Sequence, residues 1–286
     1  MTPRSLHVRL GTGIDYHALE WDPGPQARHT VILVHGFLDH AWGWSRVVEA
    51  GLGHLHVVAP DMRGHGDSGR VGHGGYYHFA DYLADLDDLA TVVARDRLSL
   101  VGHSMGGSIT SYFAGAWPER VSRLALLEGL GPPETGPASP ERIRSWVGAW
   151  RRARDTKLRG FATVEEAAER MRKHDPLCPP DEALRLARLG TVSGGAGVQF
   201  KHDPVHLTPG PQGFQLAIAR SFWSAVTCPV LLVDGARSEF VGAGEAMAER
   251  RAAFRDARHV VLPDAGHMMM RHVPGPLGAL LGDFLR

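Results

Sequence analysis

The sequence predicts an α/β protein built on a mostly parallel sheet with helices on both faces, and three observations lead there. Short Val- and Leu-rich or alternating runs recur at 6–10, 16–19, 31–34, 54–59, 98–101, 123–127, 230–233 and 259–262. Those apolar at consecutive positions suit strands buried on both faces. Helix-like stretches lie between them at 41–50, 79–95, 104–116, 244–254 and 276–286. Strands alternating with helices in this way mark a parallel sheet covered on both sides. The third observation is size: 286 residues, 43% hydrophobic and 22% charged, are enough to bury a full core.

The alternation breaks once, over residues 129–225. Gly131-Pro132-Pro133-Glu134-Thr135-Gly136-Pro137 opens the interruption as a linker, and the rest reads mainly helical. Thr163-Val164-Glu165-Glu166 has the capping-box pattern of a helix start. Asp181, after Pro179-Pro180, can cap a second helix, and 212–223 is a third apolar-periodic stretch. The expected organisation is a core formed by 1–128 and 226–286 with a helical cap inserted at 129–225.

Composition narrows the function classes. Lys+Arg and Asp+Glu are both 31, so nothing in the charge balance calls for nucleic acid or an anionic membrane. Cys178 and Cys228 are far apart, with no metal-ligand spacing. Two reduced, buried thiols are expected, which favours a cytoplasmic home. Residues 1–13 hold no signal-peptide run, and no segment approaches the ~20 apolar residues of a membrane span. Asn is absent, so there is no N-glycosylation acceptor. The expectation is a soluble monomer or homodimer acting on a small molecule, with no membrane and no nucleic acid as partner.

The most informative segment is Leu98-Ser99-Leu100-Val101-Gly102-His103-Ser104-Met105-Gly106-Gly107. A strand runs straight into Gly-x-Ser-x-Gly and then into a helix, so Ser104 is lifted out of the sheet with its hydroxyl at a helix N-terminus. That placement suits a nucleophile. Val31-Ile32-Leu33-Val34-His35-Gly36-Phe37 is a buried strand ending in His-Gly-apolar. Acyl transfer puts negative charge on a former carbonyl oxygen, and the Phe37 and Met105 N–H groups are the natural donors to it. Near the end, a strand leads through Pro263-Asp264-Ala265-Gly266 to His267. An imidazole there can take the serine proton and return it to a leaving group. Most of the 17 histidines must be structural, and His267 stands out by following the last strand.

With His35-Gly36-Phe37, the run from Asp61 to Ser68, Gly102-His103-Ser104-Met105-Gly106-Gly107 and Gly266-His267 in this order, the chain resembles an α/β-hydrolase over essentially its full length. The resemblance implies an eight-stranded sheet, with a lid inserted after the sixth strand where 129–225 falls. Within the family the chain is similar to small capped serine hydrolases and esterases with a helical lid. It implies a Ser104–His267 catalytic pair, cleavage of a carboxylic ester or related acyl bond, and no cofactor or metal. A lactonase, a thioesterase, a carbon–carbon bond hydrolase or a non-catalytic binder on the same residues are the alternatives. Serine at position 104 speaks against relatives whose chemistry needs an aspartate nucleophile there, the haloalkane dehalogenases and epoxide hydrolases.

One position departs from the family pattern. The triad acid usually follows the seventh strand, and there this chain has Ser238. Some relatives carry the acid at the end of the sixth strand, which here is Glu128. A carboxylate ending so apolar a strand needs a partner, and a histidine N–H is a suitable one. Glu128 is favoured, with Glu239 and Asp234 as the competing positions.

Other signals point away from chemistry. Gly64-His65-Gly66-Asp67-Ser68-Gly69 matches a dinucleotide fingerprint literally, but more loop follows it rather than a helix. His202 and His206 are separated by Pro204, which argues against a metal pair on one helix face. The basic excess over 141–190 reads as a solvated lid face. Trp42, Trp44, Met268, Met269 and Met270 neighbour motif residues and suit core packing as well as a pocket wall.

Overall fold

The computed structural model describes residues 1–156, 160–195, 197–240 and 245–286. Its strands are β1 (Arg4–Arg9), β2 (Asp15–Trp21), β3 (His29–Val34), β4 (His56–Pro60), β5 (Arg97–His103), β6 (Arg123–Leu127), β7 (Thr191–Gly194), β8 (Gly197–Phe200), β9 (Val230–Gly235) and β10 (Ala257–Leu262). Its helices are α1 (Ser45–Val47), α2 (Phe79–Val93), α3 (Met105–Ala116), α4 (Pro140–Asp155), α5 (Val164–His174), α6 (Pro180–Gly190), α7 (Leu216–Ala225), α8 (Glu245–Arg251), α9 (Met269–His272) and α10 (Pro274–Phe284).

Eight strands form one sheet in the order β1-β2-β4-β3-β5-β6-β9-β10. β1 and β2 pair antiparallel and the remaining six run parallel. Period-two geometry divides each central strand between two cores. Ile32 and Val34 of β3 face a cluster with Leu86, Leu89, Ile109, Phe113 and Trp223, contributed by α2, α3 and α7. Val31 and Leu33 face the other side, against Trp44, Val47, Leu277 and Leu281. β10 differs from the other parallel strands, because at the sheet edge most of its side chains are exposed.

The chain leaves β3 for β4 on one side and returns through β5 on the other, so the strand order reverses between β3 and β5. In open α/β sheets ligands bind outside the carboxyl ends of the strands at such a reversal. The loops after β3 and β5 carry Phe37 and Ser104.

Residues 129–225 lie between β6 and β9 and hold α4 to α7. They are less purely helical than the sequence suggests, since β7 and β8 pair antiparallel within them. Thr163 caps α5, its hydroxyl accepting from Glu166 N–H at 3.3 Å, while the Glu166 carboxylate reaches back to Ala162 N–H rather than to Thr163. Asp181 is not a cap. Pro180 takes the first helical position and moves the boundary back to Pro179. The expected helix over 41–50 is a succession of single turns, a 3₁₀ turn at Ala41–Trp44, α1 and a π turn at Val48–Leu52. Residue 244, the expected start of the helix over 244–254, lies outside the described residues.

Cys178 and Cys228 are both free and buried. No helix among the described residues is long and apolar enough to cross a membrane. Trp44, Met269 and Met270 pack in the core, whereas Trp42 and Met268 are half-buried beside it.

Four buried or half-buried histidines make stability pH-dependent. Burial pushes His29, His202 and His206 down to about 4 and His103 down to about 3. The unfolded chain takes up these protons below about 6.5, but the folded chain resists them until far lower. Stability is therefore lost as pH falls from about 6.5 towards about 4, and the melting temperature should decline across that window. A calorimetric Tm that stays level there would contradict the assignment of neutral, buried imidazoles.

Candidate active site

The buried apolar run of β5 ends at His103, and α3 begins at Met105, leaving one residue for the turn. That residue is Ser104, held at φ 52° and ψ −116°, outside the regions L-residues ordinarily occupy. Its N–H donates to Leu127 O at 2.9 Å, and its own carbonyl accepts from Gly107 and Ser108 N–H. The turn is possible because Gly106 has no side chain, since a Cβ there would collide with the Val34 and His35 carbonyls. Among the described residues, the only other non-glycine residues at positive φ are Leu38 and Glu128. Such strain is held only where surrounding structure enforces it, and it clusters at functional sites. All three residues border this site.

His267 Nε2 lies 3.1 Å from Ser104 Oγ, and His267 Nδ1 lies 2.6 Å from Glu128 Oε2. The carboxylate is an acceptor, so it draws the proton to Nδ1 and leaves the Nε2 lone pair facing the serine hydroxyl. Glu128 is itself anchored from β9. Gly235 N–H donates to Oε1 at 2.9 Å and the Ser238 hydroxyl donates to Oε2 at 2.7 Å. Its backbone N–H donates to Val233 O. Ser238, at the position where relatives usually carry an acid, thus holds the carboxylate of Glu128 at the end of the neighbouring strand.

The competing carboxylates lie elsewhere. Asp234 Oδ2 pairs with Arg251 at 2.6 Å and with His259 at 2.7 Å. Glu239 is exposed.

Gly36 brings the end of β3 against the nucleophile: a Cβ at Gly36 would stand 3.2 Å from Ser104 Cβ and 2.7 Å from His103 Nδ1. The loop is pinned by His35, whose Nε2 accepts from Met62 N–H at 2.9 Å. The proton therefore sits on Nδ1 and is donated to Gly36 O at 2.7 Å. Among the described residues neither Phe37 N–H nor Met105 N–H donates to a backbone carbonyl. Both begin segments beside Ser104, and Met105 N–H is at the positive end of the α3 dipole.

Four supporting contacts were not legible as such. His103 Nε2 donates to His267 O at 2.8 Å, and burial keeps that imidazole neutral. Phe240 stacks on the His267 ring at 4.2 Å, and His103 makes a tilted contact with the same ring at 4.7 Å. His272 Nδ1 accepts from Gly266 N–H at 3.0 Å, fixing the residue before His267. Ser238 completes the set. His103 and Ser238 carried a signal, lying inside or beside a motif, but nothing in the pattern marked Phe240 or His272.

The remaining motif residues are architectural. Asp61 accepts from Ala41 N–H and Asp67 N–H and pairs with His17, which closes the glycine-rich loop over 61–69 as a turn. His206 stacks on Tyr77, and its Nε2 lies 3.3 Å from Arg63 O. The inserted segment reaches both sides of the site. A Cβ on Gly266 would meet Leu177 Cδ1 at 2.8 Å, and His206 lies edge-on to Phe37 at 6.1 Å.

Comparison with known proteins bears on the fold. A family model described as the α/β-hydrolase fold matches residues 29–270. The chain is similar to a 3-hydroxybutyrate-oligomer hydrolase of Cupriavidus necator, 30% identical over 93% of this chain and 89% of that one. It is 26% identical, over 98% of each chain, to a Bacillus subtilis (strain 168) protein provisionally named 2-succinyl-6-hydroxy-2,4-cyclohexadiene-1-carboxylate synthase. Among solved structures it superposes on the thioesterase domain from the curacin biosynthetic pathway with a TM-score of 0.85. That match covers 98% of this chain and 99% of the other at 23% identity, a likeness of fold. With the strand order, the inserted segment and the matched family model together, the chain belongs to the α/β-hydrolase family.

Proposed function

We propose that this protein cleaves a carboxylic ester, or a related acyl bond, through an acyl-enzyme on Ser104. The observation that carries the reading is the continuous hydrogen-bonded chain from Glu128 through His267 to a strained Ser104. His267 Nε2 takes the serine proton as Oγ attacks the carbonyl carbon. The Phe37 and Met105 N–H groups receive the oxyanion, and Glu128 stabilises the imidazolium and holds its tautomer. The tetrahedral species collapses, the leaving alcohol departs with the proton from His267, and the acyl group stays on Ser104. Water, deprotonated by the same imidazole, then releases the acid and restores the serine.

The name of the similar 3-hydroxybutyrate-oligomer hydrolase supports an ester as the substrate class. Residues 129–225 act as a cap in this reading, because they pack against Phe37 and against Gly266, the residue before His267, and would cover what binds between them. The experiment is turnover of a p-nitrophenyl ester series of increasing acyl length beside matched thioesters and lactones. The reading expects saturable hydrolysis, with esters cleaved best and the optimum length moving when cap residues are exchanged. Binding without turnover would identify a non-catalytic member of the fold instead.

A further inference from the structure

A buried charge cluster outside the proposed triad joins three segments that the mechanism needs in register. Arg271 Nη2 donates to Asp39 Oδ1 at 3.0 Å and its Nη1 donates to Asp175 Oδ2 at 3.3 Å. The second oxygen of Asp175 accepts from His272 Nε2 at 2.7 Å. Asp39 lies two residues beyond Phe37, and its N–H donates to Gly36 O, so it belongs to the loop that presents the proposed oxyanion donor. Arg271 and His272 follow the base by four and five residues, and His272 Nδ1 holds Gly266 N–H. Asp175 belongs to neither loop. It ends α5 of the inserted segment. All four side chains are nine-tenths buried or more.

We propose that Arg271 is a positioning residue. Bridging Asp39 and Asp175, it ties the seating of the inserted segment to the placement of Phe37 N–H and His267. This inference rests on the reading of Ser104, His267 and Phe37 given above. Several features favour positioning over simple cohesion. Burying charges is costly, and an apolar trio of similar volume stabilises a fold as well or better. What a planar guanidinium adds is two directed donors that hold two carboxylates at once in one geometry. Burial opposes ionisation of Asp39, but Arg271 and the nearby imidazoles outweigh it and hold that carboxyl at about 2. The bridge to the oxyanion loop therefore stays charged through any working pH. The cluster also lies where covering the site, orienting the base and aiming the oxyanion donor have to agree.

The test compares wild type, Asp175→Asn and Arg271→Lys, with active sites counted by a fluorophosphonate that labels Ser104. Asp175→Asn keeps the shape and retains an acceptor, so it remains testable if Arg271→Lys folds poorly. Small misplacement of reacting groups costs up to about 10²-fold in rate. The expected result is a fall of about tenfold or more in kcat per labelled serine, with KM within about twofold of wild type. A merely structural role predicts a lower Tm and fewer labelled sites, with kcat per labelled serine unchanged, and that result would overturn the proposal. Wild-type protein that turns over esters without labelling at Ser104 would instead overturn the reading on which it rests.

Discussion

Ser104→Ala is expected to abolish the proposed ester hydrolysis and to leave the fold intact. The hydroxyl is the only group of the residue that the proposed chemistry uses, while the backbone turn is set by Gly106 and by the Ser104 N–H bond to Leu127 O. Loss of a triad nucleophile lowers kcat by roughly 10⁶-fold in the hydrolases where it has been measured, with residual rate from the oxyanion donors and binding alone. The Ala variant keeps the positive φ and should melt within a degree or two of wild type. Ser104→Gly should be more stable than Ser104→Ala by roughly 1 kcal/mol, because glycine adopts that conformation without strain. Steady-state turnover and calorimetry on the three proteins check both statements. An Ala variant with near-normal turnover would remove Ser104 from the mechanism.

Glu128→Gln is expected to lower turnover by roughly 10⁴-fold, whereas Glu239→Gln and Asp234→Asn are expected not to. An amide at position 128 can offer its NH₂ to His267 Nδ1, which favours the wrong tautomer and supplies no charge for the imidazolium. The 2.6 Å contact from Glu128 Oε2 to His267 Nδ1 is where that loss arises. Asp234 spends its carboxylate on Arg251 and His259, so its variant should cost stability rather than rate. Glu239 is exposed and should cost little of either. The three variants belong in one assay with kcat and Tm recorded together. A Glu239→Gln enzyme that loses turnover while Glu128→Gln keeps it would return the acid to the loop after β9.

Much of this was legible before the structure, and for a physical reason. A strand running into Gly102-x-Ser104-x-Gly106 and then a helix has few folded outcomes, and the Val- and Leu-rich runs of β3, β5 and β9 suit burial on both faces. The edge strand β10 was less legible, because exposure depends on what lies beside it. The hairpin of β7 and β8 was missed since each strand has only four residues, too few for a period to show. Glu128 can be nominated because a carboxylate ending an apolar strand needs a partner, and of the three candidates it is the one whose carboxylate lies 2.6 Å from His267 Nδ1. The contacts of Ser238, Phe240 and His272 depend on distances across the fold, and no local pattern encodes them.

The central claim is that the acyl group passes through Ser104, and intact-protein mass measurement during turnover of a slowly deacylated ester tests it most directly. The account predicts a transient gain of one acyl mass per chain, mapped by peptide analysis to Ser104 and absent from the Ser104→Ala protein. Turnover with no acylated protein at any time under conditions where deacylation limits the rate, or an acyl group mapped to another residue, would contradict it.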